Sequence, residues 1–217
     1  MKAAKYAENV LRSMGALYAA MTSYSDSGEV STTFAEAGNR MRIPFTTLYQ
    51  KPSLLRFECF RPHPYAPLSH IVTQYVVGFD GSTAYSRRKK YNESETSTSM
   101  ESLSFAIAAA VPSSKGAAIT VSRLLIPEIH GLSILDLLNP TIRNDDHIDG
   151  VSCNVISAQY PSGENCELWV EKDTLILRKL VQSNGRTCSE EVRENIRVND
   201  AIDVGVFAAD LRANDYS

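Results

Sequence analysis

Segment after segment of this chain alternates apolar and polar residues with a period of two, and short turns join one segment to the next. A period of two sends successive side chains to opposite faces of a strand, so the pattern dictates a sheet with one buried face. Val30, Thr32 and Phe34 alternate with polar neighbours, as do Met41, Ile43, Phe45, Thr47 and Tyr49. Leu55, Phe57 and Cys59 follow a break at Lys51-Pro52-Ser53; then come Ile71, Thr73, Tyr75, Val77 and Phe79. Gly38-Asn39, Asp80-Gly81 and Asn184-Gly185 are hairpin dipeptides, whose residues reach the positive φ that two-residue turns need. Hairpin connections make antiparallel sheet. Strands do not alternate with helices, which argues against a doubly wound nucleotide-binding fold.

Helical spacing interrupts this pattern twice. Tyr6, Ala7, Val10, Leu11, Met14, Leu17, Tyr18 and Met21 recur at i, i+3 and i+4, predicting an amphipathic helix over about 2–22 that packs on a core. In the middle, Thr98-Ser99-Met100-Glu101 fits a capping box, and Met100, Leu103, Ile107 and Val111 form a stripe that Pro112 should end. A second helix from Ser113 or Ser114 carries Ala117, Ala118, Val121, Leu124 and Leu125, and Leu132 to Leu138 is a third apolar piece. Strands return with Val151 to Ser157, Leu168 to Val170, Leu175 to Leu180 and a long polar strand from Thr187 to Val198. The tail, about 208–217, should fray. Three prolines make Arg61 to Pro67 a loop.

At 217 residues a single domain, 1–217, is the default. A 43% hydrophobic and 22% charged composition excludes a disordered chain, and a net charge of −3 argues against a nucleic-acid binder. Residues 1–110 carry 12 basic and 9 acidic side chains and residues 111–217 carry 10 and 16, a mild surface polarity. The longest apolar run, Phe105 to Val111, is far short of the ~20 residues of a membrane span. Met1 to Lys5 resembles the charged start of a signal peptide, but Glu8, Asn9, Arg12 and Ser13 break any apolar stretch behind it. The chain is thus either cytoplasmic or a mature form whose signal was removed.

No G-x-S-x-G elbow, P-loop, G-x-G-x-x-G or H-E-x-x-H occurs. Asp145-Asp146-His147-Ile148-Asp149 lacks a second ligand group at metal spacing and reads as a solvated turn. Arg87-Arg88-Lys89-Lys90 reads first as a solvated hairpin end and second as a contact for anionic lipid head groups. Asn92-Glu93-Ser94 is a glycosylation sequon that matters only in a eukaryotic secretory setting. Trp169, the sole tryptophan, shares its parity with Glu167 and Glu171, which argues for the outer face.

Several stretches in order resemble the LolA-like superfamily of lipoprotein-sorting proteins. Met21 to Val30, with Tyr24-Ser25-Asp26-Ser27-Gly28-Glu29, is similar to the entry into its first strand. Lys51 to Glu58, Val77 to Gly81, Leu168 to Thr174 and Leu177 to Lys179 resemble its later strands and hairpins, so the likeness covers roughly residues 5 to 207. It implies an α+β fold: an unclosed, strongly curved antiparallel half-barrel, with the N-terminal helix and two or three middle helices covering the concave face. It also implies a non-enzymatic carrier or binding protein for a lipid or lipoprotein acyl chain in the cell envelope. Periplasmic or extracytoplasmic location, a monomer, peripheral membrane contact and no cofactor go with this reading. The alternative is an envelope sensor or scaffold with a filled core that binds a protein partner.

The inner face then supplies the ligand-binding candidates: Val30, Phe34, Ile43, Phe45, Leu55, Phe57, Tyr75, Val77 and Phe79 from strands, with Leu103, Ile107, Leu124 and Leu125 from the covering helices. No catalytic or metal residue is expected. A two-residue turn at Asn184-Gly185 sets Cys188 opposite Val181. A turn at Lys172 to Thr174 sets Cys166 opposite about Leu180, and Cys153 near Val170. Cys166 and Cys188 then fall on opposite faces, and Cys153, Cys166 and Cys188 should be free thiols. Cys59 has no predictable partner.

Overall fold

The structure, a computed structural model, describes residues 2–35, 40–63, 68–90, 93 and 95–209. The Gly38-Asn39 turn, most of the proline loop, Asn92 and Ser94 of the sequon, and the tail beyond 209 lie outside the described residues. Helix α1 (Lys2–Ala20) leads into six strands: β1 (Ser23–Phe34), β2 (Arg40–Gln50), β3 (Leu54–Pro62), β4 (Val72–Phe79), β5 (Ala84–Lys90) and β6 (Thr96–Met100). Three short helices follow, α2 (Leu103–Ser114), α3 (Ala117–Thr120) and α4 (Ser122–Leu125). Then come β7 (Leu138–Ile142), β8 (Asp146–Ile148), β9 (Val151–Gln159), β10 (Asn165–Glu171), β11 (Leu177–Ser183) and β12 (Thr187–Val198), and a 3₁₀ turn over Val204–Phe207.

The strands form one antiparallel sheet in the order β6-β5-β4-β3-β2-β1-β12-β11-β10-β9-β7, with β8 paired to β9. The first and last strands, β1 and β12, meet in the middle, while β6 and β7 stand at the two ends of the sheet and, among the described residues, do not pair with each other, so the barrel stays open. This is the half-barrel expected from the sequence. A bulge on β12 at Asn195, with φ of 52°, bends the central pair, and its side-chain amide donates to Ser27 Oγ at 2.8 Å.

One face carries the core. Val30, Ile43, Leu55 and Val77 from the strands join Ala7, Met14 and Tyr18 of α1 and Ile107, Ala118 and Leu124 of the middle helices in one buried cluster. The period-two and period-3.6 stripes thus meet in a single layer, which removes their apolar surface from water. The opposite, convex face has two smaller patches. Cys153, Val155 and Trp169 form one. Val76, Tyr85 and Ala209 form the other, where the C-terminal segment lies over β3 to β5 and Tyr85 Oη donates to Phe207 O at 3.1 Å.

Some local readings are corrected. Thr98 to Met100 is strand, paired with β5, not the start of a helix. The cap is Ser102, whose side chain accepts from Phe105 N–H at 3.3 Å. Pro112 does not end α2, which runs on to Ser114 and stops at Lys115 in the left-handed conformation. Leu132 to Leu137 forms turns, not a helix, and β7 begins at Leu138. β6, β7 and β8 carry little period-two apolar pattern because each is short and mostly exposed.

Candidate functional site

The thirteen residues chosen from the sequence all fall on the core side or in the covering helices. Val30, Ile43, Phe45, Leu55, Phe57 and Val77 are buried, as are Ile107, Leu124 and Leu125 above them. Tyr75 and Leu103 pack against that cluster half-buried; Phe34 and Phe79 are half-buried at opposite ends of the sheet. The Phe45 and Phe57 rings stack with centroids 5.8 Å apart. These side chains are brought together, but onto one another and the helices.

A polar cluster pins the helices to the sheet. Arg193 of β12 is fully buried and contacts both Asp26 of β1 and Glu191 of its own strand. Its Nη2 donates to the Ala117 carbonyl of α3 at 3.1 Å, and its guanidinium lies 4.9 Å from the Phe45 ring centroid. Thr120 of α3 donates to Glu191 Oε2 at 2.9 Å, and Tyr24 Oη donates to Asp26 Oδ2 at 2.6 Å. Burial works against the Arg193 charge, but Glu191 and Asp26 outweigh it and raise its pKa further. Burial pushes the Tyr18 hydroxyl up to about 12, so it is neutral and accepts Leu177 N–H at 3.2 Å. From the sequence alone, Thr187 to Val198 reads as a plain polar strand. Its signal was Glu191 and Arg193 two apart, on one face, beside a strand carrying Asp26.

An apolar groove opens on the outer side of the covering helices. A groove of about 500 Å³ runs between α2, α3 and the segment 130–134. Ala108, Val111, Ile119, Leu132 and Ile134 give it an apolar wall, and Tyr160 and Gln182 close its sheet side. Its lip carries Lys115, His130 and Glu164. Leu132 is 54% exposed here, although large and apolar. Gln182 Nε2 donates to Tyr160 Oη at 2.8 Å, and burial raises the Tyr160 pKa, keeping it neutral. Val111 belongs to the stripe legible in the sequence, but Ala108 does not, and which side of α2 stays uncovered was not legible.

The acidic cluster is occupied by its neighbours. Asp145 pairs with Lys172, and Asp146 Oδ2 accepts from Trp169 Nε1 at 2.9 Å. Trp169 sits on the convex face, as its parity implied, with Lys179 Nζ 4.6 Å from its ring centroid. Among the described residues no three His, Cys, Asp or Glu side chains gather as a metal site. No helix among them is long and apolar enough to cross a membrane.

The fold is the open antiparallel half-barrel that the sequence resemblance implied. No protein-family model matches the chain, and no curated protein does. Solved structures do. LprF from Mycobacterium bovis matches at 13% identity and a TM-score of 0.55, over 92% of this chain and 96% of that one. The Mycobacterium tuberculosis lipoprotein LppX matches at 12% identity and a TM-score of 0.52, over 92% and 98%. A LolA superfamily protein from Nitrosomonas europaea matches at 10% identity over 93% and 97%, with a TM-score of 0.34. At these identities the likeness to LprF and LppX is one of fold alone.

Proposed function

We propose that this protein is a non-enzymatic binding or carrier protein of the cell envelope that takes up the acyl chain of a lipid or lipoprotein. The groove beside α2 carries the reading. Its volume of about 500 Å³ falls within the roughly 300–1,000 Å³ of small-ligand sites, and its wall is apolar with a few polar groups at the lip. An acyl chain gains about 0.8 kcal/mol per buried CH₂ in such a wall. The core beneath is filled, so the thirteen inner residues meet a ligand only when α2 to α4 move away from the sheet. The extracytoplasmic location and monomeric state belong to the same reading. Native mass spectrometry of the purified protein, followed by solvent extraction, tests it. A bound lipid that disappears in Val111→Trp supports the reading; protein that stays lipid-free after incubation with phospholipid sinks it.

The second reading is a scaffold that binds a protein. The filled core and the outer edge of β6, unpaired among the described residues, favour it, because a free edge can accept a partner's strand. A pull-down that recovers one protein and no lipid selects this reading.

A further inference from the structure

The strands β3 to β5 are electrically polar along their length. Their turn at one end holds Asp80, whose carboxylate accepts Ser82 N–H at 2.9 Å and Thr83 N–H at 2.8 Å. The opposite end is cationic. In register, Arg61 of β3 lies across from Thr73 of β4, which lies across from Lys90 of β5. Arg88 lies across from Tyr75, and Lys89 from Gln74. Arg61 and Arg88 share the face of buried Cys59 and half-buried Tyr75, Arg61 one step past Cys59 and Arg88 across from Tyr75; Lys89 shares the convex face with Phe60. Three carboxylates lie near this end: Glu93 pairs with Lys90, Glu95 pairs with Arg87, and Glu58, paired with Arg56, accepts from Gln74, the residue across from Lys89. Arg61, Arg88 and Lys89 have no acidic partner among the described residues.

The same end exposes apolar side chains. Phe60 and Val72 are each 37% exposed and Leu68 is 36% exposed. Cations interleaved with exposed apolar groups are what an anionic lipid–water interface rewards, since each component alone binds weakly. A purely electrostatic site for a soluble acid has no use for Phe60, Leu68 and Val72. A purely apolar protein contact has no use for unpaired Arg61, Arg88 and Lys89.

The geometry points to a docking surface for an anionic phospholipid bilayer at this end of β3 to β5, with Arg61, Arg88 and Lys89 on head-group phosphates and Phe60, Leu68 and Val72 at the interface. The strand direction then stands the molecule with its Asp80 turn away from the membrane. This surface is separate from the groove beside α2, so it does not depend on the acyl-chain reading.

The test is co-sedimentation of the full chain with vesicles of phosphatidylcholine alone or with one quarter phosphatidylglycerol. Wild-type protein should sediment with the anionic vesicles only, and less as salt rises. Arg61→Glu with Arg88→Glu should weaken that binding at least about 30-fold, from roughly fivefold per basic residue lost. Lys5→Glu with Lys51→Glu makes the same change in net charge elsewhere and should leave it near wild type. Phe60→Ser with Leu68→Ser should remove the part of the binding that survives high salt. Circular dichroism of each variant separates lost docking from lost fold. Equal binding to neutral vesicles, no binding to either, or equal losses in both charge-reversed pairs overturns the proposal. Retention on an acidic polypeptide without vesicle binding also overturns it and assigns the patch to a protein. A lipid found by native mass spectrometry in a protein that ignores vesicles leaves the acyl-chain reading standing and removes this one alone.

Discussion

Arg193 of β12 and Asp26 of β1 form an ion pair in which both side chains are essentially sealed from water. Glu191 joins them, and the three bridge the two strands where the halves of the sheet meet. Removing one partner of a buried pair leaves a charge in low dielectric and costs about 3–5 kcal/mol. Arg193→Met should therefore lower the melting temperature by about 10 °C, at 2–4 °C per kcal/mol for a chain of this size. The triple change Arg193→Met, Asp26→Asn, Glu191→Gln strands no charge and should recover more than half of that. Thermal melts by circular dichroism decide it. A triple variant no more stable than Arg193→Met would show that the charges are not what the single change exposes.

Gly28 tests the same region through shape. A Cβ there would meet the Val192 carbonyl oxygen at 2.2 Å and the Phe45 ring at 2.5 Å. The carbonyl belongs to the strand ladder and cannot rotate aside, and the Phe45 ring lies beneath the Arg193 guanidinium. Gly28→Ala should cost about 1–3 kcal/mol, as overpacking does. At Gly205 the nearest atom is the Asp203 carboxylate at 3.3 Å, so Gly205→Ala should stay within about 0.5 kcal/mol. Equal urea midpoints for the two variants would contradict the close approach at Gly28.

The long strands β2 and β3 were legible because burial on one face imposes the period that the residues display, while β4 alternates less cleanly because Val76 is buried on the convex face as well. β12 was placed at its observed ends, but its buried Glu191 and Arg193 were not, because alternation of charged residues looks the same whichever face is inside. β6 was missed since Thr96 to Met100 lies at the sheet edge and needs no apolar face. The turn at Asn184-Gly185 shows how one side chain shifts a register. Asn184 Oδ1 accepts from Arg186 N–H and Thr187 N–H, which sets Asn184 before the turn. Cys188 consequently faces Ser183 and not Val181. A bulge at Trp169/Val170 likewise sets Cys166 opposite Gln182 instead of Leu180. The groove beside α2 was not legible, because it depends on where the turns of 127–137 settle, and turns carry no period.

The cysteines follow from that register. All four are free, and Cys166 and Cys188 fall on opposite faces as expected. Cys59, Cys153 and Cys166 are buried and Cys188 is exposed. Burial pushes the Cys59 and Cys166 thiols up to about 12, so almost no thiolate forms at neutral pH. Titration with Ellman's reagent should find one fast thiol in native protein and four in denaturant. Cys188→Ser should remove the fast phase. Two fast thiols, or fewer than four in denaturant, would contradict the assignment.

The Trp169–Asp146 contact gives an optical reporter, since Trp169 is the sole tryptophan. The indole N–H donates to Asp146 and the His147 backbone N–H adds a second bond, which together hold the Asp146 carboxyl below its usual value of about 3.9. A carboxyl depressed by folding stabilises the folded state above its unfolded pKa, and the contribution is lost as pH falls through the folded value. Trp169 emission should therefore stay constant from neutral pH down to about 4 and shift below it, when protonation weakens the acceptor. Asp146→Asn replaces the anion with a neutral amide that does not titrate, so its emission should be shifted already at neutral pH and flat across the acid range. Far-UV circular dichroism recorded alongside separates this local change from acid unfolding. Matching acid profiles in wild type and Asp146→Asn, with unfolding absent in both, would mean that Trp169 does not sense Asp146.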